Sequence, residues 1–168
     1  MKEAVSSLCT EAGLGHDCEA YGLFADLIPA DVQGEGWRLG TRRAKRGLIP
    51  DCRLRLPTPQ GTTDVLEELK VISAGPSHYP RGAAGRGTDR RAATIPAYYK
   101  RQLRNLDTEF HGTVDRQVGP LERRLAGFGS IEALVAGPWG EVSKDLASLI
   151  HTLAEYKRTG RLGRKWHR

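Results

Sequence analysis

The sequence LIPDCRLRLPTPQGTTDVLEELKVI, Leu48–Ile72, contains two runs of alternating apolar and polar residues on either side of a Pro-Thr-Pro-Gln-Gly turn. In the first run Leu48, Cys52, Leu54 and Leu56 fall on one side, and Asp51, Arg53 and Arg55 alternate with them. In the second, Val65, Leu69 and Val71 oppose Asp64, Glu68 and Lys70. A period of two is the pattern of a strand with one buried face, and proline and glycine between two such runs predict a β-hairpin. A loop over Thr58–Gly61 sets Asp51 opposite Glu68, and a loop over Pro59–Thr62 sets it opposite Lys70. A one-residue slip exchanges the faces of a strand. In both of these registers Asp51, Glu68 and Lys70 share a face, with the leucines, valines and Cys52 on the other. Glu67 is the one residue out of place on the apolar side.

A Pro-Asp at Pro50-Asp51, a hairpin, and then Glu68-Leu69-Lys70 on the next strand resemble the PD-(D/E)xK nuclease superfamily. That superfamily includes restriction endonucleases, recombination resolvases and nucleases of mobile elements. The resemblance implies an α/β fold with a restriction-endonuclease-like αβββαβ core: a central mixed sheet flanked by helices, here with a C-terminal helix added. It implies Mg²⁺, with Mn²⁺ as a substitute, held by Asp51, Glu68 and the backbone carbonyl of Leu69. Lys70 would position the attacking water. A carboxylate pair suits Mg²⁺, which prefers oxygen ligands, and a fixed cation stabilises developing charge on a phosphodiester. The expected activity is Mg²⁺-dependent hydrolysis of duplex or branched DNA by an endonuclease, with Asp51, Glu68 and Lys70 catalytic. Members of this type also dimerise. In many of them an acid on the first helix joins the site; Glu3, Glu11 and Glu19 are the candidates, and Glu19 is taken as the accessory acid. The rival reading is a non-catalytic DNA- or RNA-binding module that keeps the fold, its carboxylates forming cross-strand ion pairs with Lys70.

The chain has 168 residues, 39% hydrophobic and 27% charged, which suits one nuclease-like domain over residues 1–157 and a basic tail over 158–168. No apolar run approaches the roughly 18 residues of a transmembrane helix. MKEAVSSLCTEAG does not read as a secretory signal. Cys9, Cys18 and Cys52 are odd in number and lack metal spacing, so they read as reduced thiols of an intracellular protein, cytoplasmic or nuclear. Net charge is +6, and arginine and lysine concentrate in Arg42–Arg46, Arg81–Arg91, Lys100–Arg104 and Arg158–Arg168. Basic clusters favour phosphate backbones through counterion release.

Around the hairpin, Lys2–Ala12 reads as a helix ended by Gly13 and Gly15. Glu19–Ile28 reads as a first strand, with a short helix as the alternative, stopped by Pro29. Asp31–Gly47 is a surface segment whose Arg43, Lys45 and Arg46 are candidate phosphate contacts. Ser73–Asp89 is a long glycine- and proline-rich loop leaving the strand of Glu68 and Lys70. His78, Tyr79, Arg81 and Arg86 on that loop are candidates to grip DNA by stacking and phosphate contact. Arg90–Phe110 reads as a helix with Pro96 marking its start and Tyr99, Leu103, Leu106 and Phe110 as its apolar stripe. Tyr98, Lys100 and Arg101 are placed on its substrate side. Gln102 follows Tyr98, which inverts the order of the Gln-x-x-x-Tyr seen in exonuclease branches. Leu121–Phe128 is a short helix, Ile131–Trp139 a buried fourth strand, and Ser143–Lys157 a helix capped by Ser143. Neither a Ser/His/Asp order nor a P-loop is present.

Overall fold

The computed structural model describes residues 1–29, 49–58, 61–75, 77–79, 87–114, 117–129 and 131–160. Four strands form one mixed sheet in the order β1-β2-β3-β4. These are β1 (Gly15–Cys18), β2 (Cys52–Thr58), β3 (Gly61–Val71) and β4 (Ile131–Ala136). Strand β2 runs antiparallel to both β1 and β3, and β4 lies parallel to β3. Helices α1 (Lys2–Glu11), α2 (Gly87–His111), α3 (Pro120–Gly127) and α4 (Lys144–Thr159) flank the sheet. The architecture is mixed α/β.

The hairpin takes the register that puts Asp51 beside Glu68. Cys52 pairs with Glu67, Leu54 with Val65 and Leu56 with Thr63, and pairing runs to Thr58–Gly61 at the turn. Gly61 has φ +134°, a value that side-chain-bearing residues rarely adopt. Alternation along β2 buries Cys52, Leu54 and Leu56 completely enough to make them core, while Arg55 stays exposed.

The expectation of one covered sheet face needs correction, because both faces of β3 are covered. Val65 and Leu69 join Val5, Cys9, Leu14, Leu134, Leu146, Leu149 and Leu153 beneath α1 and α4. Leu66 and Ile72 join Ile95, Tyr99, Leu103, Leu106, Leu121 and Ile131 beneath α2 and α3. The charged triplet therefore sits beside a second core and not on an open surface, which is why Glu68 is only 7% exposed. Strand β4, Ile-Glu-Ala-Leu-Val-Ala, is a near-continuous apolar run, as burial from both sides demands.

Two helical boundaries differ from those expected. Glu19–Ile28 is not a strand: Tyr21–Leu27 forms a 3-10 helix, and the first strand lies upstream at Gly15–Cys18. Leu23, Phe24 and Ile28 are all buried, a spacing that one face of an extended chain cannot deliver. Pro96 lies inside α2, which begins nine residues earlier at Gly87. An internal proline forfeits one helical hydrogen bond, a cost of about 3 kcal/mol. The buried stripe Ile95, Tyr99, Leu103 and Leu106 runs through it and offsets that cost. Ser143 caps α4 as expected, its Oγ accepting from the N–H of Leu146 at 3.4 Å and donating to the carbonyl of Ala133 at 2.8 Å. On that helix Leu146, Leu149 and Leu153 form the buried face, which Thr152 joins, whereas Ile150 is 43% exposed.

Candidate functional site

At the open end of the hairpin, α1, the β1 exit, β2, β3 and α2 bring together Lys2, Glu19, Asp51, Glu68, Lys70 and Tyr99. Asp51 precedes β2, and its Oδ2 accepts the backbone N–H of Leu69 at 2.8 Å. Lys70 Nζ pairs with Glu68 Oε1 and lies 3.9 Å from Asp51 Oδ2. From α1, Lys2 Nζ stands 3.1 Å from Asp51 Oδ1 and also pairs with Glu19. Tyr99 donates its O–H to Glu68 Oε2 at 2.5 Å. Burial, and after it the charge and hydrogen bond of Glu68, raises the Tyr99 phenol far above its ordinary range, so it stays a donor.

Glu19 owes its place to backbone geometry. Its φ of 55° is left-handed, unusual for a residue with a side chain and costing on the order of 1 kcal/mol. The conformation is held by its N–H donating to the Asp51 carbonyl at 2.9 Å, and by the next N–H, of Ala20, donating to the Pro50 carbonyl at 3.2 Å. It turns the chain out of β1 and delivers the carboxylate to Lys2. Of the three candidate acids, Glu19 is the one that joins the network. Glu11 instead pairs with Lys157 at 2.8 Å, which holds its carboxyl below the usual range, and Glu3 is exposed.

The metal reading is overturned by this donor set. Among the described residues no group of three or more His, Cys, Asp and Glu side chains is arranged to hold a metal ion. The assignment of Mg²⁺ or Mn²⁺ to Asp51, Glu68 and Leu69 is therefore corrected, and with it the metal-dependent endonuclease. The physical reason lies in the individual oxygens. Asp51 Oδ1 faces Lys2, Asp51 Oδ2 faces the Leu69 N–H, Glu68 Oε1 faces Lys70 and Glu68 Oε2 faces the Tyr99 hydroxyl. Leu69 meets Asp51 through its N–H, a donor, and not through its carbonyl. A hard cation needs those lone pairs for itself. Two lysine ammoniums supply the positive charge that the acids require.

Beside this network runs a cleft of about 660 Å³ lined by Glu68, Lys70, Arg91, Thr94, Tyr98 and Arg101, among others. The Arg101 guanidinium lies 5.7 Å from the centroid of the Tyr98 ring, within cation–π range. Of the expected DNA contacts, Arg101 lines this cleft. Lys100 turns instead to Glu122 on α3, 3.6 Å away, where Arg104 also binds at 3.0 Å. Tyr79 is held by the protein itself: it donates to Glu141 and packs edge-on against Trp139 at 4.6 Å between centroids. The backbone N–H of His78 closes a turn onto Gly75 at 3.0 Å. Arg43, Lys45, Arg46, Arg81 and Arg86 lie outside the described residues, as do residues 161–168 of the basic tail.

Sequence reasoning missed Lys2, Arg91 and the polar role of Tyr99. For Tyr99 a signal existed, since a tyrosine on a buried stripe needs a partner for its hydroxyl. Lys2 carried none, being one lysine on a helix end. Among the described residues no helix is long and apolar enough to cross a membrane. Compared with known proteins, the chain matches no family model, no curated protein and no solved structure.

Proposed function

We propose that the chain is a non-catalytic DNA-binding module built on a restriction-endonuclease-like fold, gripping the phosphodiester backbone in the cleft beside Lys70. The observation that carries this reading is the charge of the cleft. Lys2 and Lys70 neutralise most of the charge of Glu19, Asp51 and Glu68 from within. Arg91 and Arg101 then leave the cleft net positive, and the half-exposed Tyr98 beside Arg101 adds an aromatic ring to its lining. The order of helix, three antiparallel strands, helices and a parallel fourth strand is compatible with the fold that the Pro50–Lys70 motif implies. In this reading Asp51 and Glu68 orient Lys70 toward a phosphate.

Fluorescence anisotropy with duplex, branched and single-stranded DNA and with RNA, over a salt series, tests it. The Arg91→Ala/Arg101→Ala double variant is expected to weaken DNA binding about tenfold and to flatten the salt dependence by about two counterions. Equal binding by wild type and double variant, or markedly tighter binding of RNA, would overturn the assignment. So would DNA cleavage in Mg²⁺ or Mn²⁺ that disappears in Glu68→Ala.

A further inference from the structure

Across the β1–β2 pair, Cys18 stands directly opposite Cys52. The hydrogen bond from the Glu19 N–H to the Asp51 carbonyl, 2.9 Å, joins the residues just outside that pair. This makes Cys18–Cys52 a non-hydrogen-bonded pair, the type in which antiparallel side chains approach closest, with Cα atoms about 4.5 Å apart. That separation lies within the range that a disulfide spans. The two sulfurs are already 4.0 Å apart, so side-chain rotation suffices to bring them to bonding distance. Cys18 is exposed on the edge strand, whereas Cys52 is 2% and Cys9 1% exposed.

We propose that Cys18 and Cys52 are a redox modification site that closes to a cross-strand disulfide when Cys18 meets a peroxide. The Cys18 thiolate attacks one peroxide oxygen; an S–O bond forms, the O–O bond breaks, and the departing hydroxide takes up the proton released when the thiol ionised and leaves as water, giving a sulfenic acid. The Cys52 sulfur then attacks the Cys18 sulfur. The S–S bond forms, the S–O bond breaks, and the hydroxyl departs with the Cys52 proton as a second water. The two sulfurs together lose two electrons and the peroxide gains them. Exposure makes Cys18 the entry point. Burial, reinforced by the charge of Glu67, pushes the Cys9 thiol up to about 12, and burial pushes Cys52 up as well, so neither competes for the oxidant.

The consequence reaches the candidate site. The residues after Cys18 and before Cys52 are Glu19 and Asp51, both bound by Lys2. The disulfide would also join the two ends of the segment whose sequence carries Arg42–Arg46. The site stands independently of what the cleft binds.

Folded protein treated with a slight excess of hydrogen peroxide, then unfolded in denaturant, alkylated and weighed intact without reductant, gives the test. The expected product is a monomer lighter by two hydrogens, with Cys9 alone alkylated and a Cys18–Cys52 linkage in the peptide map. Its melting temperature should rise on the order of 5–10 °C and fall back with dithiothreitol. Cys9→Ser should behave as wild type. Cys18→Ser, at an exposed position, should melt as reduced wild type does and form no disulfide. Over-oxidation of Cys18 with Cys52 still alkylatable would overturn the proposal, as would Cys18-linked dimers.

Discussion

Asp107 and the pair Asp51–Glu68 are all shielded carboxylates, but they are satisfied in different ways. Asp107, on α2, is 0% exposed, and its two oxygens accept the N–H groups of Leu121 and Glu122 at the start of α3, each at 2.9 Å. These donors belong to the backbone, so they are in place whenever the fold is. The approach is so close that a Cβ on Gly119 would stand 2.1 Å from the Asp107 carboxyl carbon. Asp51 and Glu68 depend mainly on Lys2, Lys70 and Tyr99, side chains of which the two lysines are more than a third exposed. Backbone donors make a carboxylate part of the scaffold. Mobile cations make it part of a surface whose charge an arriving anion can redistribute.

The largest effect should come from breaking the scaffold side. Asp107→Ala leaves two N–H groups unsatisfied at a buried helix start and should cost about 3 kcal/mol in urea unfolding. The fraction that remains folded should bind DNA as wild type does. An unchanged unfolding midpoint would show that α3 does not need this carboxylate. Tyr99→Phe comes next. It removes the hydroxyl on Glu68 and little else, and should cost about 1–2 kcal/mol while loosening Glu68 toward the cleft. Smaller still is Lys2→Met. Its partners are partly exposed, so solvent screening should hold the stability loss within about 1 kcal/mol. Its informative readout is binding: with one fewer cation, DNA affinity should fall at low salt and converge with wild type as salt rises. A loss independent of salt would mean that Lys2 shapes the site and does not charge it.

How much of this could be read in the sequence follows from where each partner lies in the chain. The hairpin was legible because Cys52, Leu54 and Leu56 alternate with arginines ahead of a turn rich in proline and glycine. That alternation set Asp51, Glu68 and Lys70 on one face in either of two registers, and the structure selects the one that puts Glu68 opposite Asp51. Strand β1, Gly-His-Asp-Cys, was not legible: four residues at a sheet edge, with no buried alternation, leave no periodic signal. The metal expectation failed for a related reason. Alternation says which residues share a face, but not which donors another element lays over them. Lys2 arrives from α1, 49 residues before Asp51, and Tyr99 from α2, 31 residues after Glu68. Both occupy oxygens that the motif, read by itself, leaves free.

Glu141 lies between the two extremes, and pH can measure how far. One of its oxygens accepts the Trp139 N–H at 3.0 Å and the other accepts the Tyr79 hydroxyl, so a backbone donor and a side-chain donor share one carboxylate. The Tyr79 hydrogen bond holds the Glu141 carboxyl below its ordinary 4.5. Partial burial, followed by the bond and charge of Glu141, raises the Tyr79 phenol from 10.0 to about 12. The signs are opposite. The depressed Glu141 adds stability above 4.5 that is lost as pH falls through its lower folded value, whereas the raised Tyr79 adds stability below 10.0 that is lost as pH climbs toward about 12. Tyr79→Phe should therefore lower the melting temperature by a small, flat amount between those limits, and the difference should shrink at both ends. A difference that stays constant to high pH would mean that Tyr79 acts through its packing on Trp139 alone. One that shrinks only at high pH would give Glu141 to its backbone donor and place it with Asp107.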